Sequence, residues 1–443
     1  MNPGVMMASH EGTKTRRKAA RRLKYAATIN DESLTEATEP DYELQYIDIG
    51  NVDSYGTVHD VVAYKFEDAP SRARRIARHG DVIVSTVRTY LQAIAPIENP
   101  PENLIVSTGF AVVRPKGNLF DARFCKYAVR EKHFLWEVES RSVGVSYPAI
   151  NASDLADIRI SLPAIDTQRL IADYLDRETV RIDALVAEKE KMAALLDEKR
   201  AALISRAVTR GLNPNAPLKP SGLDWLGDIP AHWETPPVYA RFEVQLGKML
   251  DEKKIKGTHL APYLRNIDVQ WGTINTSSLP EMDFDDESRV RYSLQPGDIL
   301  VCEGGEIGRS AIWFGEIAEC YYQKALHRLR PLNGYDNASF FVYVMQALVN
   351  LCVFSSQANA ATIQHLPAEK LRTVRYPAPP IHEQREIVSF LNRETAHLEK
   401  MDSEITHSIQ LLKERRAALI TSTVTGQIDI EQKQTKAGGR HEN

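Results

Sequence analysis

Cysteine is scarce in this chain: four residues in 443, at Cys125, Cys302, Cys320 and Cys352, with no Cys-x-x-Cys pair among them. That spacing excludes a disulfide framework or a cysteine zinc module and leaves isolated buried thiols of a cytosolic protein. None of the 12 histidines stands in a His-x-x-x-His or other metal-ligand spacing, so no metal site is expected. No run of 18 apolar residues exists, which excludes a membrane-spanning helix. The N-terminal MNPGVMMASHEGTK has neither an apolar core nor a cleavage site, so no signal peptide is expected. Charge of one sign is also lacking. The net charge is −4 and the pI about 6.3, which argues against a protein that coats nucleic acid by charge alone.

What is present is a soluble composition, 43% apolar and 26% charged, in a chain long enough for two or three domains. Basic residues gather locally. Lys14, Arg16, Arg17, Lys18, Arg21, Arg22 and Lys24 form one cluster, and Arg72, Arg74, Arg75 and Arg78 another. The dominant feature is a repeat. Sliding the chain on itself by 216 residues aligns 166–209 with 382–425 without a gap, and 18 of the 44 positions are identical. Chance gives about three, so the segment is duplicated. The matches include Gln168 with Gln384, Arg177-Glu178-Thr179 with Arg393-Glu394-Thr395, and Arg200-Ala-Ala-Leu-Ile with Arg416-Ala-Ala-Leu-Ile. Upstream the register persists weakly: Gly80-Asp81 with Gly297-Asp298, Arg114-Pro115 with Arg330-Pro331, Tyr127 with Tyr343. A globular segment followed by a helix is therefore written twice. The helices stayed alike while the globular parts diverged, which suggests one job done twice by the helices and different jobs done by the globular parts.

Each repeated helix begins after prolines, and the first ends at Gly211-Leu-Asn-Pro214. Leu391, Leu398, Ile405, Leu412 and Leu419 recur every seven residues, matched by Leu175, Ile182, Lys189, Leu196 and Leu203. This is a coiled-coil period. The second seam row is read as Ile171, Glu178, Leu185, Met192 and Lys199, against Ile387, Glu394, Met401, Ser408 and Arg415. Glu178 and Glu394 are expected to pair locally with the neighbouring Arg. Two rods, each about 65 Å long, pack most simply against each other in antiparallel fashion, with a domain at either end.

The globular repeats read as α+β domains: short strands, a Gly-Asp turn, a helical stretch (121–139 and 337–354) and a small-residue loop, 142–147 or 355–362. Prolines 214, 217, 220 and 230 mark 211–230 as a linker. Catalysis finds no support. Gly304-Gly305-Glu-Ile-Gly308-Arg309 is too short and has Arg where a phosphate loop has Lys, so it reads as a hairpin. Asn99-Pro100-Pro101-Glu102 carries Glu where the amino-methyltransferase loop has a base-stacking aromatic, and no glycine-rich S-adenosylmethionine loop follows a strand.

With the repeat in place, the chain resembles the specificity (S) subunit of Type I restriction–modification systems. The resemblance rests on Leu218-Lys-Pro-Ser-Gly-Leu-Asp-Trp-Leu-Gly-Asp-Ile-Pro-Ala-His-Trp233, on Arg22-Leu-Lys-Tyr25, and on two proline-led runs. These are Leu162-Pro-Ala-Ile-Asp-Thr-Gln168 and Pro379-Pro-Ile-His-Glu-Gln384, each leading into a helix. The first unit departs from the pattern: it lacks a Trp-Leu-Gly-Asp-Ile-Pro lead and carries Met1–Thr15 instead.

The resemblance implies two similar α/β target-recognition domains separated by two long antiparallel coiled-coil helices, related by an internal pseudo-twofold repeat. The expected divisions are 1–160 and 214–376 for the recognition domains, 161–213 and 377–430 for the helical regions, and a disordered tail at 431–443. Each domain would read one half of a bipartite asymmetric target in double-stranded DNA. The rods would fix the gap and dock two methyltransferase (M) subunits, with motor-nuclease (R) subunits added. S-adenosylmethionine, ATP and Mg would belong to those partners, in the cytoplasm of a bacterium or archaeon. The chain itself would be no enzyme. Expected DNA contacts are Arg88, Tyr90, Ser142, Ser146 and Tyr147 in the first unit, with Arg72 and Arg75 on phosphates. In the second unit they are Arg309, Gln357, Asn359, Thr362 and His365. A coiled-coil scaffold with no nucleic-acid role and a stand-alone adenine methyltransferase are the competing readings, the latter disfavoured by the missing cofactor loop.

Overall fold

The computed structural model describes residues 20–249, 257–332, 334–354 and 365–430. Expectations placed on Lys14–Lys18, on Gln357, Asn359 and Thr362, and on the tail 431–443 lie outside the described residues. The chain divides into two compact units: Met1–Lys189 with His407–Asn443, and Glu190–Thr406. Each long helix therefore contributes to both.

In the first unit, chain order gives β1 (Ala27–Ile29), β2 (Glu43–Ile47), β3 (Val62–Lys65), β4 (Ala73–Ile76), β5 (Val82–Ser85), β6 (Ile94–Pro96), β7 (Leu104–Ser107) and β8 (Phe110–Pro115). One sheet runs β1-β8-β5-β6, antiparallel throughout. The other runs β3-β2-β7-β4, with β2 and β7 parallel. The runs VIVS and LIVS are buried along their whole length, as short apolar strands covered on both faces must be. Helices α1 (Ala122–Ala128) and α2 (Lys132–Arg141) follow, and then α3 (Ile165–Arg210). The helical stretch expected over 121–139 is broken because Glu131 caps α2, accepting from His133 N at 3.0 Å and Phe134 N at 2.9 Å.

The second unit repeats this plan with β9 (Phe242–Leu246), β10 (Leu260–Leu264), β11 (Glu281–Asp283), β12 (Ile299–Cys302), β13 (Ser310–Ile312), β14 (Tyr321–Tyr322) and β15 (Leu326–Pro331). Its main sheet runs β9-β15-β12-β13, the same order as β1-β8-β5-β6, and β10 pairs in parallel with β14 as β2 does with β7. Helix α4 (Ala338–Asn350) and a short helical segment, Ala368–Thr373, precede α5 (Ile381–Val424). The stretch read as a linker is folded instead. Leu218–Pro220 pairs with Asp228–Pro230, and Ile229 and Trp233 are fully buried in the second unit's core. The prolines punctuate a hairpin whose apolar residues supply its burial.

Residues shared by the two repeats form the same devices twice. Gly80 and Gly297 take φ of 85° and 96°, a backbone that favours glycine. The buried Asp81 and Asp298 that follow accept a backbone N–H three residues back, from Arg78 at 2.7 Å and Gln295 at 2.8 Å. Each also receives both arms of an arginine on the last strand of its sheet. Arg114 donates to Asp81 at 2.9 and 2.8 Å, and Arg330 donates to Asp298 at 2.7 Å twice. Gln168 and Gln384, both fully buried, tie the rods to their domains. Gln168 Oε1 accepts from Asp121 N at 2.9 Å, while its Nε2 donates to the Leu119 and Pro163 carbonyls. Gln384 Oε1 accepts from Asn337 N at 2.7 Å, and its Nε2 donates to Tyr335 and Pro379.

Within each unit the helical segments run antiparallel. In the first, Ile171 and Leu175 share a core with Ile420 and Val424, and Arg416 pairs with Asp183 at 2.8 Å. In the second, Ile204 and Val208 share a core with Ile387 and Leu391, and Arg200 pairs with Glu399 at 2.8 Å. The leucine row is buried where expected at Leu175, Ile182, Leu391, Leu398 and Ile405. The companion row is buried as expected at Ile171 and Ile387 and half-buried at Glu178, Glu394, Met401 and Ser408, but Leu185, Met192, Lys199 and Arg415 are exposed. Where that row turns outward, the positions one residue further on face inward instead: Thr179 and Thr395 are buried, and Val186, Ala193, Arg200 and Arg416 half-buried. Counting apolar residues passes over these positions because they carry small and polar side chains. In the repeated Arg-Glu-Thr it is thus the threonine that is buried. Thr179 Oγ1 donates to Leu175 O at 2.7 Å and Thr395 Oγ1 to Leu391 O at 2.8 Å. Beside them Tyr127 donates to Asp176 at 2.7 Å and Tyr343 to Asn392 at 2.8 Å. Glu394 pairs with its neighbour Arg393 at 3.1 Å.

Candidate nucleic-acid interface

The loop after β5 is held by a short ladder. Thr86 N donates to Gly109 O at 2.8 Å, and Ile150 N donates to Thr86 O at 2.9 Å. Ala149 bridges to both Val87 and Val143. The loop 142–149 is thereby laid beside 86–92. Thr89 and Ser142 hydroxyls meet at 2.8 Å, and the Arg88 guanidinium lies 4.8 Å above the Tyr147 ring. Arg88 and Gln92 both adopt φ of 50°, left-handed backbone that costs a non-glycine residue about 1 kcal/mol or more. Arg88, Tyr90, Ser146 and Tyr147 are exposed on this one surface. Ser142 turns inward and donates to Val138 O at 2.7 Å.

The arginine cluster over 72–78 is largely neutralised in the fold. Arg72 pairs with Asp48 at 2.5 Å, Arg74 stacks on Phe66 at 4.7 Å, and Arg78 forks onto Glu32. The hydrogen bond from Arg78, joined by those of Arg114, pulls the Glu32 carboxyl from its ordinary 4.5 to about 2. Arg72 stays half-exposed beside the surface just described, since Thr108 N, next to Gly109, donates to Arg72 O at 2.8 Å. Arg75 is partly buried on β4, and its Nε makes no hydrogen bond among the described residues. A run of like charges in sequence becomes a set of ion pairs once strands from elsewhere bring their carboxylates.

The second unit carries the same ladder, offset by 216 or 217 residues. Glu303 N donates to Ala325 O at 3.0 Å and Leu366 N to Glu303 O at 2.7 Å. The loop after β12 is the tight hairpin expected: Gly308 N donates to Cys302 O at 3.0 Å and Cys302 N to Arg309 O at 2.8 Å. Arg309 points inward, giving its guanidinium to Asn266 O at 3.0 Å and to Glu306 at 3.2 Å. Asn266 in turn donates to Gly304 O at 2.6 Å. Arg309 thus braces the hairpin. His365 is exposed, and a Cβ on Gly304 would stand 3.3 Å from its ring. One scaffold presents guanidinium and phenol groups in the first unit, and glycines, glutamates and an imidazole in the second. Glu303, Glu306 and Asn266 are not among the expected contacts, and the sequence signal for Glu303 is its repeat offset of 217 from Thr86. Among the described residues, no group of three or more His, Cys, Asp or Glu is placed to hold a metal ion. Among the described residues, no helix is long and apolar enough to cross a membrane.

Comparisons with known proteins agree with this duplicated architecture. The Type I restriction modification DNA specificity domain matches twice, over residues 41–191 and 242–407. The Type I restriction enzyme EcoBI specificity subunit of Escherichia coli is 22% identical over 86% of this chain and 86% of its own length. The putative type I restriction enzyme MjaX specificity subunit of Methanocaldococcus jannaschii is 25% identical over 35% of this chain. That match spans about a third, 36%, of the relative's length. Among solved structures, a chain from work on complex assembly and conformational transition of the type I R-M system superposes with a TM-score of 0.71. It is 21% identical, covering 93% of this chain and 98% of that one, and so shares the fold. With both copies of the domain model falling on the two structural repeats, the chain belongs to the Type I restriction modification DNA specificity domain family.

Proposed function

We propose that the two units are the two heads of a DNA-reading specificity subunit, each reading one half of a bipartite, asymmetric target. A specificity subunit is a recognition component without catalysis of its own. The observation that carries the reading is the pair of matched ladders, Thr86–Gly109–Ile150 and Glu303–Ala325–Leu366, supporting loops of unlike chemistry. Arg88 suits a guanine edge, whereas Glu303 suits the amino group of cytosine. Arg72 and Arg75 are assigned to phosphates, with Tyr90, Ser146, Tyr147 and His365 at the base edges. Ser142 and Arg309 act by holding their loops in shape. The globular segments serve as recognition domains and the rods as the spacer between half-sites.

The exposed faces of the rods dock two methyltransferase subunits, and motor-nuclease subunits complete the assembly. S-adenosylmethionine, ATP and Mg work in those partners, in the cytoplasm where genomic DNA is reached. Methylation mapping of DNA from cells carrying the complete system tests this. The expected result is one asymmetric motif with two specific halves and a fixed unread gap. A continuous motif, or none, overturns the proposal.

A further inference from the structure

Val145 is the most exposed apolar side chain among the described residues, at 101% of its reference area, with Val143 at 79%. Both stand on the 142–149 loop, and that loop is fixed in shape. Val143 and Ala149 exchange backbone hydrogen bonds at 2.9 and 3.0 Å. Gly144, at φ of 120°, lets the chain turn where a Cβ would lie 3.0 Å from Tyr147 O. The valine is therefore held out into solvent by a braced turn. The same loop carries Tyr147, 64% exposed, and the adjoining 86–92 segment carries Tyr90, 55% exposed, and Arg88, which stacks on Tyr147 and has no carboxylate partner among the described residues. A small apolar tip on a loop whose Tyr147 carries a guanidinium with no carboxylate partner among the described residues matches the edge of a base pair that offers both a methyl group and hydrogen-bond acceptors. On the floor of the major groove the one apolar group is the 5-methyl of thymine.

We infer that Val145 reads the 5-methyl group of a thymine in the half-site assigned to the first unit. This rests on the DNA-reading function proposed above and adds a specificity-determining residue to it. Burying one methyl-sized contact contributes about 0.8 kcal/mol, or about fourfold in affinity. The unlike hairpin at 303–309 predicts that the contact is confined to one half of the target.

The test uses the chain assembled with its methyltransferase partners on a duplex carrying the mapped target. Each thymine in the two halves is replaced in turn by deoxyuridine, which lacks the methyl. With the native chain, one thymine in one half should cost about fourfold in binding, and elsewhere the change should be silent. Val145→Ala should lose about the same factor on the native duplex and nothing further on the deoxyuridine duplex. A first-unit half-site without thymine, or equal deoxyuridine sensitivity in the native and Val145→Ala complexes, overturns the assignment of Val145. Absence of sequence-selective binding by the native complex instead overturns the DNA-reading proposal beneath it.

Discussion

Replacing Gln168 by leucine removes the staple between the first recognition domain and its rod. Three hydrogen bonds are lost, at 2.9, 2.9 and 2.8 Å, and the Asp121 N–H and the Leu119 and Pro163 carbonyls are left without their partner. At about 1 kcal/mol or slightly more for each part-buried group, the loss is about 3–4 kcal/mol. For a unit of this size that lowers its melting temperature by about 6–16 °C. Hydrogen exchange followed by mass spectrometry locates the effect. Protection should fall at the start of α1, where Asp121 also caps the helix through its side chain, and should be unchanged over α4. Gln384→Leu should reverse the pattern, exposing Asn337 and sparing α1. A melting shift under about 2 °C for both variants, or loss of protection spread evenly over the two units, would refute the claim that the glutamine is a duplicated structural joint.

The duplicated ion pair gives a second expectation. Asp81→Asn and Asp298→Asn each leave a part-buried arginine facing a neutral amide, and each should destabilise its own unit by about 3–5 kcal/mol in denaturant titration. The Glu32 carboxyl, held at about 2 by Arg78 and Arg114, sets a pH dependence. Because its folded value lies below the ordinary 4.5, the stability it contributes is fully present above that pH and is lost as pH falls toward 2. Glu32→Gln should flatten that part of the stability profile. Arg88→Ala should cost about 1–3 kcal/mol of discrimination at one base pair in competition binding at moderate salt, whereas an equal loss on every sequence would mark Arg88 as a phosphate contact.

Much of this architecture was legible because duplication writes each device twice. Gly80-Asp81 recurs at an offset of 217 and Arg114, Tyr127, Gln168 and Thr179 at 216, and each belongs to a hydrogen-bonded joint. What stayed hidden depends on distant partners or on the absence of apolar signal. The inward rod row through Thr179, Ala193 and Arg200 is too polar for a hydrophobic count to find. The arginines of 72–78 look like a basic patch until Glu32 and Asp48 arrive from other strands. Arg309 looks free in sequence because Asn266, its partner, lies 43 positions away. Backbone ladders such as Thr86 with Ile150 leave no mark on residue type, and only the repeat offset betrays them.

The most direct measurement gives both units the same head. A chain in which residues 242–376 are replaced by a second copy of 27–161, assembled with its methyltransferase partners, is used to methylate DNA, and the modified sites are mapped. The account predicts a symmetric target: two inverted copies of the half-site read by the first unit, with the other half-site gone. A target that keeps the second half-site unchanged would contradict it.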